Sequence, residues 1–261
     1  MTYHMGIDIG TGTSKGVIIE DAAVAADGSF PSGINYKAAA EKLVASLLEK
    51  AGISRIDIKR TVATGYGAAS VSGADESVAD IRCCAKGVHH LLPETRTVID
   101  IEGQTTQVIL LGKNGQIANF VTSEKCASGS GRFLEIISNV LQIPIGEIGA
   151  LSLKSKKPVT FTTACAVFGE SEAVSRVAEG AAAADILAGV HKAMAEKIAT
   201  MIERTGIEET VVVCGGGALN IGLIQALETA LKVKLHVPPQ PNLVTALGAA
   251  LFARDNNEKS I

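Results

Sequence analysis

The sequence predicts an α/β protein made of two related units, and three observations lead to this expectation. Apolar segments with strand patterning alternate with segments whose apolar residues recur at helical spacing. An apolar strand, an aspartate, a polar turn containing glycine and a second apolar strand occur in this order twice, at Asp8 and at Asp100. Aromatic residues are only 3% of the chain whereas 27 of its 261 residues are Gly, which suits helices packed closely on sheets.

The first unit is predicted to contain three strands and two helices, with polar or glycine-rich turns between them. Gly52 and Pro93 mark the ends of the two helices, because these residues terminate helical spacing. The strands are expected at Met5–Ile9, Val17–Glu20 and Lys59–Gly65, and the helices at Tyr36–Ala51 and Val78–Leu92.

The second unit repeats the opening pattern and then adds several helices. Strands are expected at Thr97–Ile101, Gln107–Leu111, Thr210–Val213 and Lys232–Val237, and helices at Arg132–Leu141, Cys165–Glu179, Asp185–Thr205 and Ala218–Leu231. A final helix is expected at Val244–Ala253. The tail from Asp255 onward is expected to fray. We expect one domain at residues 1–95 plus the C-terminal helix at 243–261, and a second domain at residues 96–242.

Composition and charge exclude several classes of function. The net charge is −3 and the chain has no long basic run, which argues against nucleic acid or an anionic membrane as a partner. No apolar stretch reaches the roughly 18 residues of a membrane helix, and Met1–His4 lead straight into a strand rather than a signal peptide. The sequence therefore predicts a cytoplasmic protein, in which five cysteines are core residues, metal ligands or redox groups.

The turn after Asp8 has the residue types of a phosphate site. Its glycines allow backbone N–H groups to approach an anion, its hydroxyls donate hydrogen bonds and its lysine neutralises charge. An aspartate beside such a turn commonly holds Mg²⁺, directly or through water. The alternative is an ordinary glycine-rich hairpin, because neither a Walker A loop nor a Rossmann fingerprint is present. The residues of the turn are Gly10, Thr11, Gly12, Thr13, Ser14 and Lys15.

Cys126 and Cys165 each lie where a polar loop is expected to become a helix. The N–H groups at a helix N-terminus favour the thiolate, which is the form that binds iron or zinc. Two thiolates cannot complete a four-ligand cluster, so a cluster at these residues would need a second chain. The alternative is that both cysteines are small buried side chains, which is the usual fate of a free cysteine.

The two aspartate turns, the segment Ala63–Gly67 and a late glycine turn together resemble the sugar kinase, Hsp70 and actin superfamily. This resemblance implies a two-domain actin-like ATPase fold with duplicated ribonuclease-H-like domains and the nucleotide in the interdomain cleft. It also implies that Asp8 and Asp100 organise Mg²⁺ and the attacking water, which Gln104 orients. The remaining nucleotide contacts it implies are Gly103, Gly215, Gly216, Gly217 and Asn220.

Six motifs spread over the chain identify a narrower resemblance. DIGTGTSKGVI, ATGYG, CASGSGRFLE, CAVFGESE, CGGGALN and LGAALFA together resemble the activator family of 2-hydroxyacyl-CoA dehydratases and benzoyl-CoA reductases. The resemblance implies one [4Fe–4S] cluster, bound by Cys126 and Cys165 of each chain, in a dimer with a second copy or a close paralogue. It also implies that ATP hydrolysis to ADP drives single electrons from ferredoxin or flavodoxin into an iron–sulfur acceptor enzyme. That enzyme is a dehydratase, a benzoyl-CoA reductase or a reductase with a double-cubane cluster.

The second turn departs from the pattern DIGGQD of this family. Glu102 stands in place of a glycine and Thr105 in place of an acid. A carboxylate at Glu102 would repel a phosphate unless it points away or meets Mg²⁺. Two other functions stay open on the same superfamily pattern: a small-molecule kinase of the pantothenate kinase type, and an actin-like filament protein.

Overall fold

The computed structural model describes residues 2–123, 129–161 and 166–258, as a mixed α/β protein with two five-stranded sheets. The chain divides into two compact units. Unit 1 comprises residues 1–95, 111–117 and 242–261, and unit 2 comprises residues 96–110 and 118–241. The sequence places the boundaries at 95/96 and 242/243 and does not foresee the short return of residues 111–117 to unit 1. That the units act as separate domains stays a prediction.

Ten strands and eight helices are described, numbered here in chain order. The strands are β1 (Tyr3–Ile9), β2 (Thr13–Glu20), β3 (Ala23–Pro31), β4 (Ile58–Thr64), β5 (Glu76–Ser77), β6 (Thr97–Ile101), β7 (Thr106–Leu111), β8 (Ile117–Thr122), β9 (Val211–Cys214) and β10 (Leu235–His236). The helices are α1 (Tyr36–Ala51), α2 (Asp80–Leu91), α3 (Gly131–Leu141), α4 (Ile145–Ser152), α5 (Ala166–Ala178), α6 (Ala183–Thr205), α7 (Ile221–Leu231) and α8 (Val244–Glu258).

The two sheets have the same strand order, and their central strands pair in the same relative directions. The first sheet has the order β3-β2-β1-β4-β5 and the second has the order β8-β7-β6-β9-β10. In each, the first strand along the chain pairs antiparallel with the second and parallel with the fourth. The internal duplication that the sequence predicts is therefore confirmed.

Glycines allow the helices of unit 1 to pack closely on each other and on the sheet. A Cβ at Gly6 of β1 would lie 2.1 Å from Ala246 O of α8. A Cβ at Gly87 of α2 would lie 2.2 Å from Val244 O, and one at Gly248 of α8 would overlap Cys83 O. These approaches exclude any larger residue at the three positions.

Helix ends follow local sequence signals. Asn35 Oδ1 accepts a hydrogen bond from Ala38 N–H (3.1 Å) at the start of α1, and Gly52 ends that helix in the left-handed conformation, with φ of 66°. Asn220 caps α7 in the same way, through Leu223 N–H (3.0 Å). Both asparagines therefore supply the side-chain acceptor that the first turn of a helix needs.

Several elements differ from the sequence expectations. The strands β3, β5 and β8 and the helix α4 were not predicted, and the C-terminal helix continues to Glu258 although the tail from Asp255 was expected to fray. Asp255 pairs with Lys86 of α2 and with Arg254 (2.8 Å), which extends the order of α8 beyond Ala253. Among the described residues, no single helix has both the length and the apolar character to cross a membrane, but the bent pair α3 and α4 passes that test together.

Candidate nucleotide-binding site

A serine at the end of β3 holds the turn between β1 and β2. Gly10 N–H donates to Thr13 O (3.1 Å), which closes the turn. Ser32 Oγ donates to Gly10 O (2.6 Å), Ser32 N–H donates to Gly12 O (3.0 Å), and the Ser14 and Ser32 hydroxyls are 2.8 Å apart. Gly12 and Thr13 are exposed, whereas Gly10 and Thr11 are half-buried. The turn is thus fixed at its base while its tip faces solvent.

Asp8 and Lys15 form a buried ion pair at the base of this turn. Lys15 Nζ lies 3.0 Å from Asp8 Oδ2, and at most 4% of either side chain is exposed. The pair follows from strand register, because Asp8 of β1 lies opposite Lys15 of β2. Each buried charge requires the other, since an isolated buried ion is strongly unfavourable. That Lys15 contacts a phosphate stays a prediction.

A glycine after β4 covers the other side of Asp8. Thr64 lies opposite Asp8 in the parallel pairing of β1 and β4, and Gly65 follows it with φ of 83°. A Cβ at Gly65 would lie 2.2 Å from Asp8 Oδ1. Gly67 N–H donates to Ile9 O (2.9 Å), so the loop after β4 packs directly on the end of β1. The Asp8 carboxylate is therefore held between two neighbouring strands.

The turn between β6 and β7 repeats this geometry in unit 2. Glu102 N–H donates to Thr105 O (2.9 Å), in the same position as the bond from Gly10 to Thr13. The start of α3 supports the turn, because Gly131 N–H donates to Glu102 O (2.9 Å) and Arg132 N–H donates to the carbonyl of Gly103 (2.8 Å). The glutamate that stands here in place of a glycine therefore leaves the backbone hydrogen bond of the turn intact.

The predicted residues of the second turn lie at its tip. Gln104 is exposed there, and Gly103 and Thr105 are half-buried beside it. Glu102 is also half-buried, and its Oε1 atom is shielded from solvent. Backbone N–H groups at an exposed tip are suitable donors for an anion.

The neighbours of the two aspartates differ in charge. Asp100 lies opposite Gln107 of β7, where Asp8 lies opposite Lys15. Asp100 also lies opposite Cys214 of β9, whose Sγ is 3.7 Å from Asp100 Oδ1. Sequence reasoning missed this contrast, although an alignment of the two repeats on their aspartates would have revealed it. It also missed Ser32 and its counterpart Ser123, whose Oγ accepts a hydrogen bond from Thr106 N–H (2.9 Å).

The glycine turn after β9 packs on Asp100 as the loop after β4 packs on Asp8. Gly215 has φ of 80°, and a Cβ there would lie 2.5 Å from Ile101 O and 2.6 Å from Asp100 Oδ1. A Cβ at Gly217 would lie 2.3 Å from the Ile101 side chain. Gly216 differs, because it is exposed and a Cβ there would have no atom within 4 Å. Two of the three glycines are thus required by packing, and the third faces open space.

Asn220 is buried, and both ends of its side-chain amide form hydrogen bonds. Its Oδ1 caps α7, and its Nδ2 lies 3.0 Å from Nε2 of His191 on α6. A direct bond from this amide to a nucleotide would compete with one of these contacts. That Asn220 contacts the nucleotide stays a prediction.

His191 is buried without a charge. Burial lowers the pKa of His191 from its ordinary value of 6.5 to about 4. The sequence predicts that this histidine is either on the surface or has its hydrogen bonds satisfied, and the second alternative is confirmed, because both ring nitrogens have a hydrogen-bond partner.

We expect His191 to make the stability of the protein depend on pH. Between about pH 4 and 6.5 the unfolded chain binds a proton at this histidine and the folded chain does not, so the free energy of unfolding rises with pH across this window. The full contribution is about 3 kcal/mol and is lost as the pH falls. Urea unfolding at several pH values should show that the free energy of unfolding rises less steeply with pH in His191→Gln than in the wild type. An equal rise in both proteins would contradict the lowered pKa of His191.

The five cysteines divide into two groups. Cys126 and Cys165 lie outside the described residues. Cys83, Cys84 and Cys214 are fully buried, as expected of core residues. Burial raises the pKa of the Cys83 thiol to about 12, so this residue stays a thiol at neutral pH.

The sequence matches one protein family and several curated proteins along almost its whole length. Residues 5–253 match the model of the BadF/BadG/BcrA/BcrD ATPase family. The chain is 39% identical over 259 residues to a 2-hydroxyisocaproyl-CoA dehydratase activator from Clostridioides difficile, with 99% of this chain and 97% of that protein covered. It is 32% identical over 270 residues to one of the subunits of benzoyl-CoA reductase from Thauera aromatica, with 99% and 95% covered.

Solved structures show the same relationship. The activator of the 2-hydroxyisocaproyl-CoA dehydratase from Clostridium difficile with bound ADPNP superimposes with a TM-score of 0.94 at 38% identity, covering 99% of this chain and 97% of the other. A ROK hexokinase from Thermus thermophilus matches with a TM-score of 0.54 at 13% identity, covering 99% and 100%. The latter likeness concerns the fold alone and, with the duplicated sheets, confirms the predicted actin-like class.

Proposed function

Because the chain belongs to the BadF/BadG/BcrA/BcrD ATPase family, we propose that it hydrolyses ATP to deliver single low-potential electrons to an iron–sulfur enzyme. The observation that carries the ATPase part is the duplicated buried aspartate, at Asp8 and at Asp100, each beside a turn with an exposed tip. Relatives along the whole chain are named as activators of a dehydratase or as part of a reductase, which supports an acceptor enzyme of that kind.

The residues of each turn, taken by itself, fit an anionic ligand with Mg²⁺. The exposed tip of the turn is formed by Gly12 and Thr13 in unit 1 and by Gln104 in unit 2. The Asp8 carboxylate is an oxygen donor of the type Mg²⁺ prefers, and the open space at Gly216 suits an adenosine close to the backbone. We assign positioning of Mg²⁺ and of the attacking water to Asp8, Asp100 and Gln104, in line with phosphoryl transfer, where positioning and charge neutralisation dominate.

The electron-transfer part of the proposal depends on Cys126 and Cys165. A [4Fe–4S] cluster needs four thiolates, and two chains with two cysteines each supply them. The cluster, when bound, supplies a one-electron redox centre. The proposal includes a dimer with a second copy or a close paralogue, and ferredoxin or flavodoxin as the electron donor. It also includes a cytoplasmic location and an acceptor of the dehydratase, benzoyl-CoA reductase or double-cubane type.

A pair of glycine variants tests the nucleotide assignment. Gly216→Ala should leave the free energy of unfolding unchanged, because its methyl group enters open space. It should weaken ATP binding by about 1–3 kcal/mol, or about 5- to 150-fold in Kd, because that space is assigned to the adenosine. Gly215→Ala is the matched control, and it should lower the free energy of unfolding by about 1–3 kcal/mol because its backbone is left-handed and crowded.

Calorimetric titration with MgATP and urea unfolding give the two readouts. Unchanged ATP affinity in a stable Gly216→Ala protein would contradict adenosine binding at this turn.

A further inference from the structure

His191 connects three separate segments of unit 2 through a chain of hydrogen bonds. Its Nδ1 lies 3.0 Å from Ser152 Oγ at the end of α4, and its Nε2 lies 3.0 Å from Asn220 Nδ2 at the start of α7. All three side chains are buried. The histidine itself lies on α6, so this chain of bonds crosses from one helix to the next through the interior of the unit.

The bonds at both ends fix which ring nitrogen carries the proton. Ser152 Oγ donates to Gly149 O (2.7 Å), so this hydroxyl accepts its second hydrogen bond from His191 Nδ1–H. Asn220 Oδ1 accepts from Leu223 N–H, so the Asn220 amide presents its N–H₂ group to the histidine. His191 Nε2 therefore accepts a hydrogen bond, and the ring is neutral with its proton on Nδ1.

Two glycines leave the space that this chain of bonds occupies. A Cβ at Gly149 of α4 would lie 2.6 Å from Asn220 Oδ1. A Cβ at Gly222 of α7 would lie 2.1 Å from Ser152 Oγ and 2.9 Å from His191 Nδ1. The backbones of α4 and α7 thus enclose the polar groups, and any larger residue at either glycine would displace them.

The same bonds hold one end of the glycine turn. The start of the turn is held by Gly215 N–H, which donates to Pro241 O (2.9 Å). The end is held at Asn220, whose N–H donates to Gly217 O (3.1 Å) and whose side chain is bound by His191. The orientation of the Asn220 amide therefore determines where the turn ends and α7 begins.

We infer that His191 is a positioning residue for the adenosine turn, and that it sets the affinity for the nucleoside part of ATP without touching it. This inference rests on the proposed binding of adenosine at Gly215–Gly217. A histidine that only stabilised the helices would affect every ligand of the folded protein equally. A histidine that positions this turn affects ligands with an adenosine and leaves a bare polyphosphate unaffected.

The test compares the Kd of MgATP with the Kd of magnesium tripolyphosphate, which lacks the nucleoside. His191→Leu removes both hydrogen bonds and should raise the Kd of MgATP about tenfold, with tripolyphosphate changed less than about twofold. His191→Gln keeps one donor and one acceptor and should restore part of the ATP affinity. Ser152→Ala removes only a hydroxyl and should raise the Kd of MgATP about threefold, so the inference can be tested even if His191→Leu does not fold.

Met194→Ala is the matched control. Met194 is buried one turn further along α6 and belongs to the apolar core, so this change destabilises the same helix without a polar contact to Asn220. It should leave the ratio of the two Kd values as in the wild type. If the wild type prefers MgATP and both His191→Leu and Ser152→Ala keep that preference, the inference is wrong and the proposed function stands. If the wild type itself binds both ligands equally, adenosine is not bound at this turn and the proposed site fails.

Discussion

Protein purified without oxygen should contain about four irons per dimer, and Cys126→Ser or Cys165→Ser should contain almost none. A serine hydroxyl is a poor substitute for a thiolate, and loss of one residue per chain removes two of the four ligands from a shared cluster. Iron and acid-labile sulfide analysis, together with the size of the particle in solution, measures this directly. We expect the loss of iron to be complete because the substitution is present in both chains and leaves the cluster with only two cysteine ligands.

Cys83→Ala is the matched control for these variants. Cys83 is buried in α2 and burial raises its thiol pKa to about 12, so it is no ready source of thiolate. This variant should keep the full iron content of the wild type. A normal iron content in Cys126→Ser would refute the ligand assignment, and loss of iron in Cys83→Ala would show that the iron depends on general folding.

Asp8→Asn should abolish most ATP hydrolysis and also destabilise the protein. The change removes the negative charge that lies 3.0 Å from Lys15 Nζ in the interior, so the free energy of unfolding should fall by about 3–5 kcal/mol. Loss of the carboxylate that is assigned to Mg²⁺ should lower kcat by about 10²–10³-fold. Urea unfolding and phosphate release measure the two effects.

The double variant Asp8→Asn/Lys15→Met separates catalysis from stability. Removal of both charges should recover most of the lost free energy of unfolding, because no isolated buried ion remains. Hydrolysis should stay as low as in the single variant. Recovery of hydrolysis together with stability would mean that Asp8 serves only as the partner of Lys15.

The duplicated core of the fold could be predicted from the sequence because its signals are local. The strands that carry Asp8 and Asp100 are continuous apolar runs that end at a polar turn, and Thr97–Ile101 was predicted with the bounds that the structure has. β3 was missed because AVAADGSFP has the composition of a loop. It forms a strand through its pairing with β2 from Thr13 to Glu20, which is tertiary information.

The misses among the helices have a similar cause. The sequence predicts a helix that ends at Leu141 and no helix directly after it, whereas Pro144 lies at the N-cap of α4, where a missing N–H is tolerated. Asp255 was assigned to a frayed tail because its partner Lys86 is far away along the chain. Sequence periodicity cannot reveal a contact over such a separation.

The candidate site shows the same division between local and distant information. The residues of the first turn were singled out because glycines, hydroxyls and a lysine directly follow an apolar strand, whereas the later glycines were named through the superfamily resemblance. That these residues bind phosphate or nucleotide stays a prediction. The buried pair of Asp8 with Lys15 depends on the register of the hairpin of β1 and β2, which the geometry of the turn sets and the residue types alone do not specify. The contact of His191 with Ser152 and Asn220 joins three helices, so the sequence could predict a satisfied histidine without identifying its partners.

The central claim is that ATP hydrolysis drives electrons out of this protein. The most direct measurement is electron transfer from the anaerobic, dithionite-reduced dimer, freed of excess dithionite, to a viologen dye of lower potential than the resting cluster. The account predicts that coloured viologen radical forms only with MgATP and in proportion to the phosphate released. Radical formation at the same rate without nucleotide, or phosphate release with no radical, would contradict it.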